Sequence, residues 1–263
     1  MLTTISRALD LIPNHSRIGL GSGRAAQAFM QGLAERVRSG RLHVYGVGTS
    51  VETEHYAMQQ DIPLLTLEQA GVLDVTVDGA DEVDPDLNLI KGYGRALVRE
   101  KVVAAASRQL IILVGEEKLV PHLGSRGKLP VEVVPFALPL CEMRLRELGC
   151  EPTLYRRNGE PFVTDNGNYI LDCKIEPIAD PAGLQAQLRG IPGVVDTGLF
   201  LKMADIVLVG NRNDFELIAE KRREPVPVEC SRGVCDAVHR QADSIHSKYA
   251  TTHDSLAQVG SSR

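Results

Sequence analysis

Tryptophan is absent from this 263-residue chain, and the aromatic residues together make up 4% of it. That disfavours a base-stacking platform for single-stranded nucleic acid, which needs aromatic faces along a groove. Positive charge is not in excess either. The formal net charge is −5, so neither nucleic acid nor an anionic membrane is an expected partner, and any phosphate site has to be local. No apolar run approaches the roughly 18–20 residues that cross a bilayer. The first residues, MLTTISRALDLIPNHSR, lack the basic segment and long apolar stretch of a secretory signal. Cysteine is sparse: Cys141, Cys150, Cys173, Cys230 and Cys235 form an odd set with no C-x-x-C spacing. Such a set fits reduced thiols in a cytoplasm better than a disulfide framework. His15, His43, His55 and His122 have no partners at metal-ligand spacing, and Cys230, Cys235, His239, His246 and His253 match no common zinc pattern, so no metal is expected.

What the chain does have is an alternation of strand and helix patterns. Helical spacing of apolar residues over 2–12 is followed by a short strand at 17–20 and the glycine-rich Gly19-Leu20-Gly21-Ser22-Gly23. Helix 24–38, strand 42–47, helix 50–59, strands 64–65 and 73–77, helix 95–107 and strand 110–114 come next. This order predicts an α/β fold, a Rossmann-like doubly wound parallel sheet. From about residue 130 the texture changes to a smaller α+β set. Its expected strands are 131–134, 153–156, 162–164, 169–173 and 194–200, with helices at 139–148 and 181–189. Asp165-Asn166-Gly167-Asn168 reads as a hairpin turn. The continuous apolar stretch 205–209 suits a buried parallel strand returning to the first sheet. The expected division is therefore a catalytic domain of 1–129 plus 204–222, an inserted domain of 130–203 and a polar tail of 223–263.

Three stretches carry chemistry. The 19–23 turn lies between a strand and a helix, where backbone N–H groups and a helix N-terminus suit a phosphate, although such turns also serve as plain connections. A dinucleotide site would want an acid at the end of the second strand, and Tyr45-Gly46-Val47-Gly48 supplies none. Asp78-Gly79-Ala80-Asp81 follows a strand whose C-terminal end should face the ligand crevice. Its carboxylates can hold sugar hydroxyls and relay protons, or can belong to a solvated acidic run continuing through Glu82, Asp84 and Asp86. Lys91-Gly92-Tyr93-Gly94 offers a cation and free amides to a developing oxyanion. Glu100, on the helix that follows, is either a base in the crevice or a surface residue paired with Arg99 or Lys101. Lys118 would be a second cation at the same sheet edge.

Taken in order, IGLGSG, GVGTS, VDGADEVDPDLNLIKG, LVREK, PVEVVPFA, FVTDNGNYILD and IPGVVDTGLF resemble ribose-5-phosphate isomerase of the A type over about residues 1–212. The resemblance implies interconversion of D-ribose 5-phosphate and D-ribulose 5-phosphate in the non-oxidative pentose phosphate pathway, without metal or organic cofactor, by a cytoplasmic homodimer or homotetramer. It gives Glu100 the place of proton acceptor. Asp78, Gly79, Ala80 and Asp81, together with Lys91, Gly92, Tyr93 and Gly94, take substrate-binding places, with Asp78 or Asp81 serving ring opening and Lys91 the charge on oxygen. Ser22, Gly23, Arg24 and Ala25 take the phosphate-facing turn, and Lys118 a further contact. Two departures stand out. The family's phosphate turn usually reads G-T-G-S-T-A, whereas this chain has Arg24-Ala25 at the second hydroxyl pair; and its run of glycines after the lysine is broken by Tyr93 and Arg95. Arg24 either forks onto phosphate or fills the site and changes the sugar that is accepted. The competing readings are an isomerase-like protein of altered phosphosugar specificity, a non-catalytic sugar-phosphate sensor and an acyl or CoA transferase. The presence of Glu100 and Lys91 together favours catalysis over a sensor.

Overall fold

The computed structural model describes residues 2–211 and 216–223. The first part of the chain runs α1 (Thr4–Asp10), β1 (Ser16–Leu20), α2 (Arg24–Arg38), β2 (Val44–Gly48), α3 (Val51–Gln59), α4 (Leu67–Ala70), β3 (Val75–Gly79), β4 (Glu82–Val83), β5 (Leu89–Ile90), α5 (Leu97–Ala105) and β6 (Leu110–Gly115). It continues through β7 (Lys128–Val133), α6 (Leu138–Glu147), β8 (Glu151–Leu154), β9 (Arg156–Arg157), β10 (Glu160–Pro161), β11 (Tyr169–Lys174), α7 (Pro181–Arg189), β12 (Val194–Thr197), β13 (Leu199–Phe200), β14 (Ile206–Gly210) and β15 (Leu217–Arg222).

The large sheet has the order β15-β14-β6-β3-β1-β2, parallel except for β15. β6 and β14 are buried along almost their whole length, as a parallel sheet covered on both faces requires. From β1 the chain steps outward to β2 and then back across to β3, so the direction of winding reverses between β1 and β3. Loops leaving the C-terminal ends of two such strands diverge and open a crevice. Gly21-Ser22 leaves β1 there, and the 78–81 turn leaves β3.

A second sheet, β12-β7-β11-β8, is antiparallel throughout. With α6 after β7 and α7 after β11 it has the split βαβ arrangement of ferredoxin-like units. Its core is built on Leu129, Val131, Val133, Leu171, Cys173 and Leu188. A three-stranded ribbon, β13-β5-β4, lies between the chain segments that feed the two sheets.

Several local expectations are corrected. The 64–65 segment makes only an isolated bridge from Leu64 to Gly46. The expected strand 162–164 is replaced by β10, two residues earlier, paired with β9. Their tight turn is Asn158-Gly159, with φ of 54° and 87°, the left-handed pair that a two-residue hairpin demands. The 165–168 turn forms, with Gly167 N donating to Thr164 O. It is no hairpin, because β10 and β11 do not pair with each other. The single strand expected over 194–200 is cut at Gly198, which accepts from Lys91 N, donates to Pro130 O, and so passes the chain from one sheet to another. β15 lies inside the 204–222 stretch given to the first domain but was not expected as a strand; charged Glu220, Lys221 and Arg222 conceal an edge strand paired with β14. The tail cysteines and histidines fall outside the described residues. Among the described residues no helix is long and apolar enough to cross a membrane.

Candidate active site

α5 buries one stripe, Leu97, Glu100, Val103 and Ala104. That spacing is the 3.6-residue period, and it carries a carboxylate inward among aliphatic side chains. Glu100 is 4% exposed. Its neighbours on the helix are engaged elsewhere: Arg99 donates to Asn166 Oδ1 and Asp165 O, and Lys101 donates to Asp196 Oδ1 and Thr197 O. Glu100 instead meets Lys91, with Nζ 3.2 Å from Oε1. The same ammonium lies 3.0 Å from Asp78 Oδ2 and donates to Gly79 O at 2.6 Å. Its three protons therefore face three fixed acceptors. Glu100 Oε2 is buried and has no hydrogen-bond partner among the described residues.

Burial raises the Glu100 pKa; the charge of Lys91 holds part of that rise back and Asp78 adds to it, leaving a value of about 7. Burial pushes Lys91 down, but the charges of Asp78 and Glu100 outweigh it, and the ammonium ends above the ordinary lysine range. Asp81 is also pushed up by burial, against the Tyr93 N–H and the charge of Lys91. A carboxylate near neutrality beside a permanent cation can take and return a proton at pH 7.

A cleft of about 380 Å³ opens over this cluster. Its lining includes Ser22, Gly23, Arg24, Ala25, Gly79, Ala80, Asp81, Lys91, Gly92, Gly94, Glu100 and Lys118. Asp78 and Tyr93 are absent from it. Asp78 sits behind the cleft, 1% exposed, where it accepts from the N–H groups of Ser22 and Gly79 and holds Lys91. Tyr93 turns away, its hydroxyl donating to Lys128 O, while its N–H donates to Asp81 Oδ2 at 2.9 Å. The two sequence motifs are thus laced together through Lys91–Gly79 and Tyr93–Asp81. The amides of Gly92 and Gly94 donate to nothing among the described residues.

At the other end of the cleft, α2 begins without a side-chain cap. Its N-cap, Gly23, has φ +87°, and Arg24 is exposed with no ion-pair partner among the described residues. The first N–H groups of a helix have no intrahelical acceptor and carry partial positive charge, so this end suits an anion. Ser22 Oγ lies 2.9 Å from Thr49 Oγ1, 3.2 Å from Ser50 Oγ and 3.1 Å from Thr53 Oγ1, a hydroxyl cluster that fixes the turn against the start of α3.

Of the acidic run after Asp81, Glu82 and Asp84 are buried and only Asp86 is exposed. Glu82 is fully buried and accepts from Gly124 N and Arg126 N, which brings the Arg126 loop to the cleft. Asp84 accepts from the N–H groups of Asp86 and Asn88. Sequence reasoning also missed Gly115, Glu117, Arg126 and Asn211 in the lining. Gly115 and Glu117 could have been found from their place at the C-terminal end of β6, which neighbours β3. Arg126 has no such local signal. Among the described residues no group of three His, Cys, Asp or Glu is arranged to hold a metal ion.

The family described as ribose 5-phosphate isomerase A (phosphoriboisomerase A) matches residues 45–214. A ribose-5-phosphate isomerase A of Roseiflexus castenholzii is 50% identical over 205 residues, 77% of this chain and 88% of that protein. That of Gloeobacter violaceus is 48% identical over 217 residues, 82% of this chain and 94% of that protein. A solved D-ribose-5-phosphate isomerase in complex with phospho-erythronic acid aligns over 85% of this chain and 100% of its own, with a TM-score of 0.79 and 38% identity. The ribose 5-phosphate isomerase from Plasmodium falciparum aligns over 84% and 96%, with the same TM-score and identity. This chain belongs to the ribose-5-phosphate isomerase A family.

Proposed function

We propose that this chain interconverts D-ribose 5-phosphate and D-ribulose 5-phosphate through a cis-enediolate. The observation that carries the reading is the buried Glu100 carboxylate, with a pKa of about 7 and one oxygen unpartnered, beside Lys91 in the cleft. The phosphate is held at the α2 N-terminus by the backbone of Ser22, Gly23 and Ala25 and by Arg24, with Lys118 across the cleft. Asp81 lines the cleft and its carboxyl is raised by burial, which suits it to handle the proton in furanose ring opening. Asp78, engaged with Lys91 and two amides, serves by fixing the lysine.

In the open-chain aldose, Glu100 removes the proton from C2. The electron pair moves into the C1–C2 bond and the aldehyde oxygen becomes anionic. Proton return to C1 and loss of the O2 proton give the ketose, so the net change is one proton from C2 to C1 and one from O2 to O1. With its three protons already directed at acceptors, Lys91 stabilises the enediolate by its fixed charge, and the Gly92 and Gly94 amides supply direct donors. Oxyanion donors of this kind are worth roughly 10²–10³-fold in rate.

β7, β8, β11 and β12, all within 128–197, make a sheet of their own, which supports reading 130–203 as an inserted domain within a catalytic domain of 1–129 plus 204–222. A cytoplasmic homodimer or homotetramer follows from the family resemblance.

The test is an isomerase assay on the purified chain with ribose 5-phosphate in the presence of a chelator, with Glu100→Gln alongside. Removing a positioned base should cost about 10²–10⁴-fold in turnover, with inorganic phosphate still competing as before. Binding of ribose 5-phosphate without turnover by the unmodified chain would overturn the reading. A Glu100→Gln variant keeping more than about a tenth of the rate would remove Glu100 from the base's place.

A further inference from the structure

Arg95 follows Gly94 directly, and its backbone has φ +73°. A side chain that bulky seldom adopts the left-handed region, and it persists there only where its surroundings hold it. Those surroundings are explicit. Arg95 is 8% exposed. Its Nη1 and Nη2 donate to the two oxygens of Asp172 on β11, at 2.5 and 2.9 Å. The flat guanidinium lies over the Tyr155 ring, 3.6 Å from its centroid. This is a fork-to-fork pair with an aromatic backing, the most geometrically defined contact that arginine makes.

Tyr93, the other residue interrupting the glycines, folds the same way. Lys128 Nζ stands 3.7 Å from its ring centroid and 3.9 Å from Asp172 Oδ2. Both side chains of the turn thus leave the cleft and fasten onto the small antiparallel sheet. Neither lines the cleft over Glu100; Arg95 instead borders a neighbouring groove that shares Ser22, Gly23 and Gly94 with it. What it does hold is on either side of it. Arg95 N donates to Gly92 O, closing the turn whose glycines face the cleft, and Ala96, next in sequence, caps α5 and accepts from Glu100 N.

We propose that Arg95 is a positioning residue for the isomerisation. Its fork on Asp172 clamps the 92–94 turn and the first turn of α5 to the small sheet, and so sets the distance of the Gly92 and Gly94 amides and of Glu100 from the reacting carbons. The proposal rests on the isomerase reading above. It makes the small sheet a part of the catalytic geometry, with the Arg95–Asp172 pair acting beside the Lys101–Asp196 pair and the Tyr93–Lys128 contact.

The experiment compares the full-length wild type with Arg95→Gly, Asp172→Asn, the double variant and Arg95→Lys. Glycine is favourable at φ +73°, so Arg95→Gly removes the clamp while relieving the backbone, and its thermal midpoint is recorded to confirm folding. The expected result is a fall in kcat of about ten- to a hundredfold, the cost of misplacing reacting groups by ångströms. KM for ribose 5-phosphate and the competitive inhibition constant of inorganic phosphate should stay within about threefold, as for an interaction felt in the transition state. Arg95→Lys, which cannot form the fork, should not restore the rate. The double variant should be no slower than the slower single one, because both act on one contact. Wild-type kcat in a folded Arg95→Gly would overturn the clamp, as would a loss confined to KM and phosphate inhibition, or additive losses in the double variant. An inactive wild type would instead remove the isomerase reading and the clamp's role with it.

Discussion

Lys91 and Glu100 form an ion pair 3.2 Å long with both side chains about 95% shut off from solvent. Burial, only partly offset by the charge of Lys91, pushes the Glu100 carboxylate up from 4.5 to about 7. With Glu100 as the proposed base, the free enzyme should be competent only when that carboxyl is ionised. kcat/KM for ribose 5-phosphate should therefore rise about tenfold per pH unit below pH 6 and level off above about pH 8, with an acid limb centred near 7. The substrate phosphate titrates near 6, a unit lower, and can be followed separately. A pH profile between 5 and 9 checks this. A limb centred near 4.5, the value of a solvated carboxylate, would mean that the base is a different group.

The same pair predicts what Lys91→Met does. Asp78 and Glu100 then face each other in the interior without a cation. Breaking a buried pair from one side costs about 3–5 kcal/mol, so the variant should unfold at markedly lower urea concentration. Of the two surviving carboxyls Glu100 should hold its proton more tightly, because the charge that had lowered its pKa is gone. Whatever activity is left, reduced by at least about 10²-fold, should peak at higher pH than in the wild type. Adding Glu100→Gln to Lys91→Met should recover part of the stability and none of the activity. If Lys91→Met is as stable as the wild type, the two carboxylates are better served by their neighbours than the distances imply.

Much of this site was legible in the sequence because it is built from local patterns. The strand-turn-helix at 16–38, the strand running into Asp78 and the helix carrying Glu100 each follow from periodicity and glycine placement. Which member of the 78–81 turn faces the cleft was not legible. Asp78 and Asp81 are three residues apart in one turn, and only the packing of β3 against β1 sends the first inward. The fate of Arg95 was hidden for a different reason. Its partner Asp172 is 77 residues away in sequence, and no local pattern reports a contact made by docking one sheet on another. The break at Gly198 is of the same kind, since it is fixed by hydrogen bonds to Lys91 and Pro130, both far away in sequence.

Arg24 is the departure that does face the cleft. As an exposed cation at an uncapped helix N-terminus, it should bind the phosphate by charge and leave the chemistry alone. Arg24→Ser is expected to raise KM for ribose 5-phosphate by about tenfold, the worth of one charge-assisted contact, with kcat within about twofold. The difference from the wild type should shrink as salt is added, because an exposed charge is screened. A fall in KM would show the opposite, that Arg24 obstructs the phosphate turn, and activity on other pentose and hexose phosphates would then be the measurement to make.

Gly21 tests whether the lysine's anchor depends on how closely β1 and β3 approach. A Cβ there would sit 2.6 Å from the Asp78 Cα and closer still to its carboxylate. The strands cannot part to admit it without losing the Gly21 N–H bond to Val77 O at 2.9 Å. The obstruction is backbone, not the tip of a flexible side chain, so Gly21→Ala should cost roughly 1–3 kcal/mol, as overpacking does. The displaced carboxylate is the one that holds Lys91 and the Ser22 amide, so kcat should also fall by about 10²-fold, the price of a small misplacement of catalytic groups. Gly23→Ala is the comparison. Its Cβ would meet nothing within 4 Å, but its φ of +87° strains any other residue. That substitution should cost about 1 kcal/mol and act on phosphate binding, through KM, more than on kcat. Urea midpoints and the split between kcat and KM separate the two. Equal effects from both glycines would mean that the turn acts only as a flexible connection, and that Asp78 has room to move without releasing Lys91.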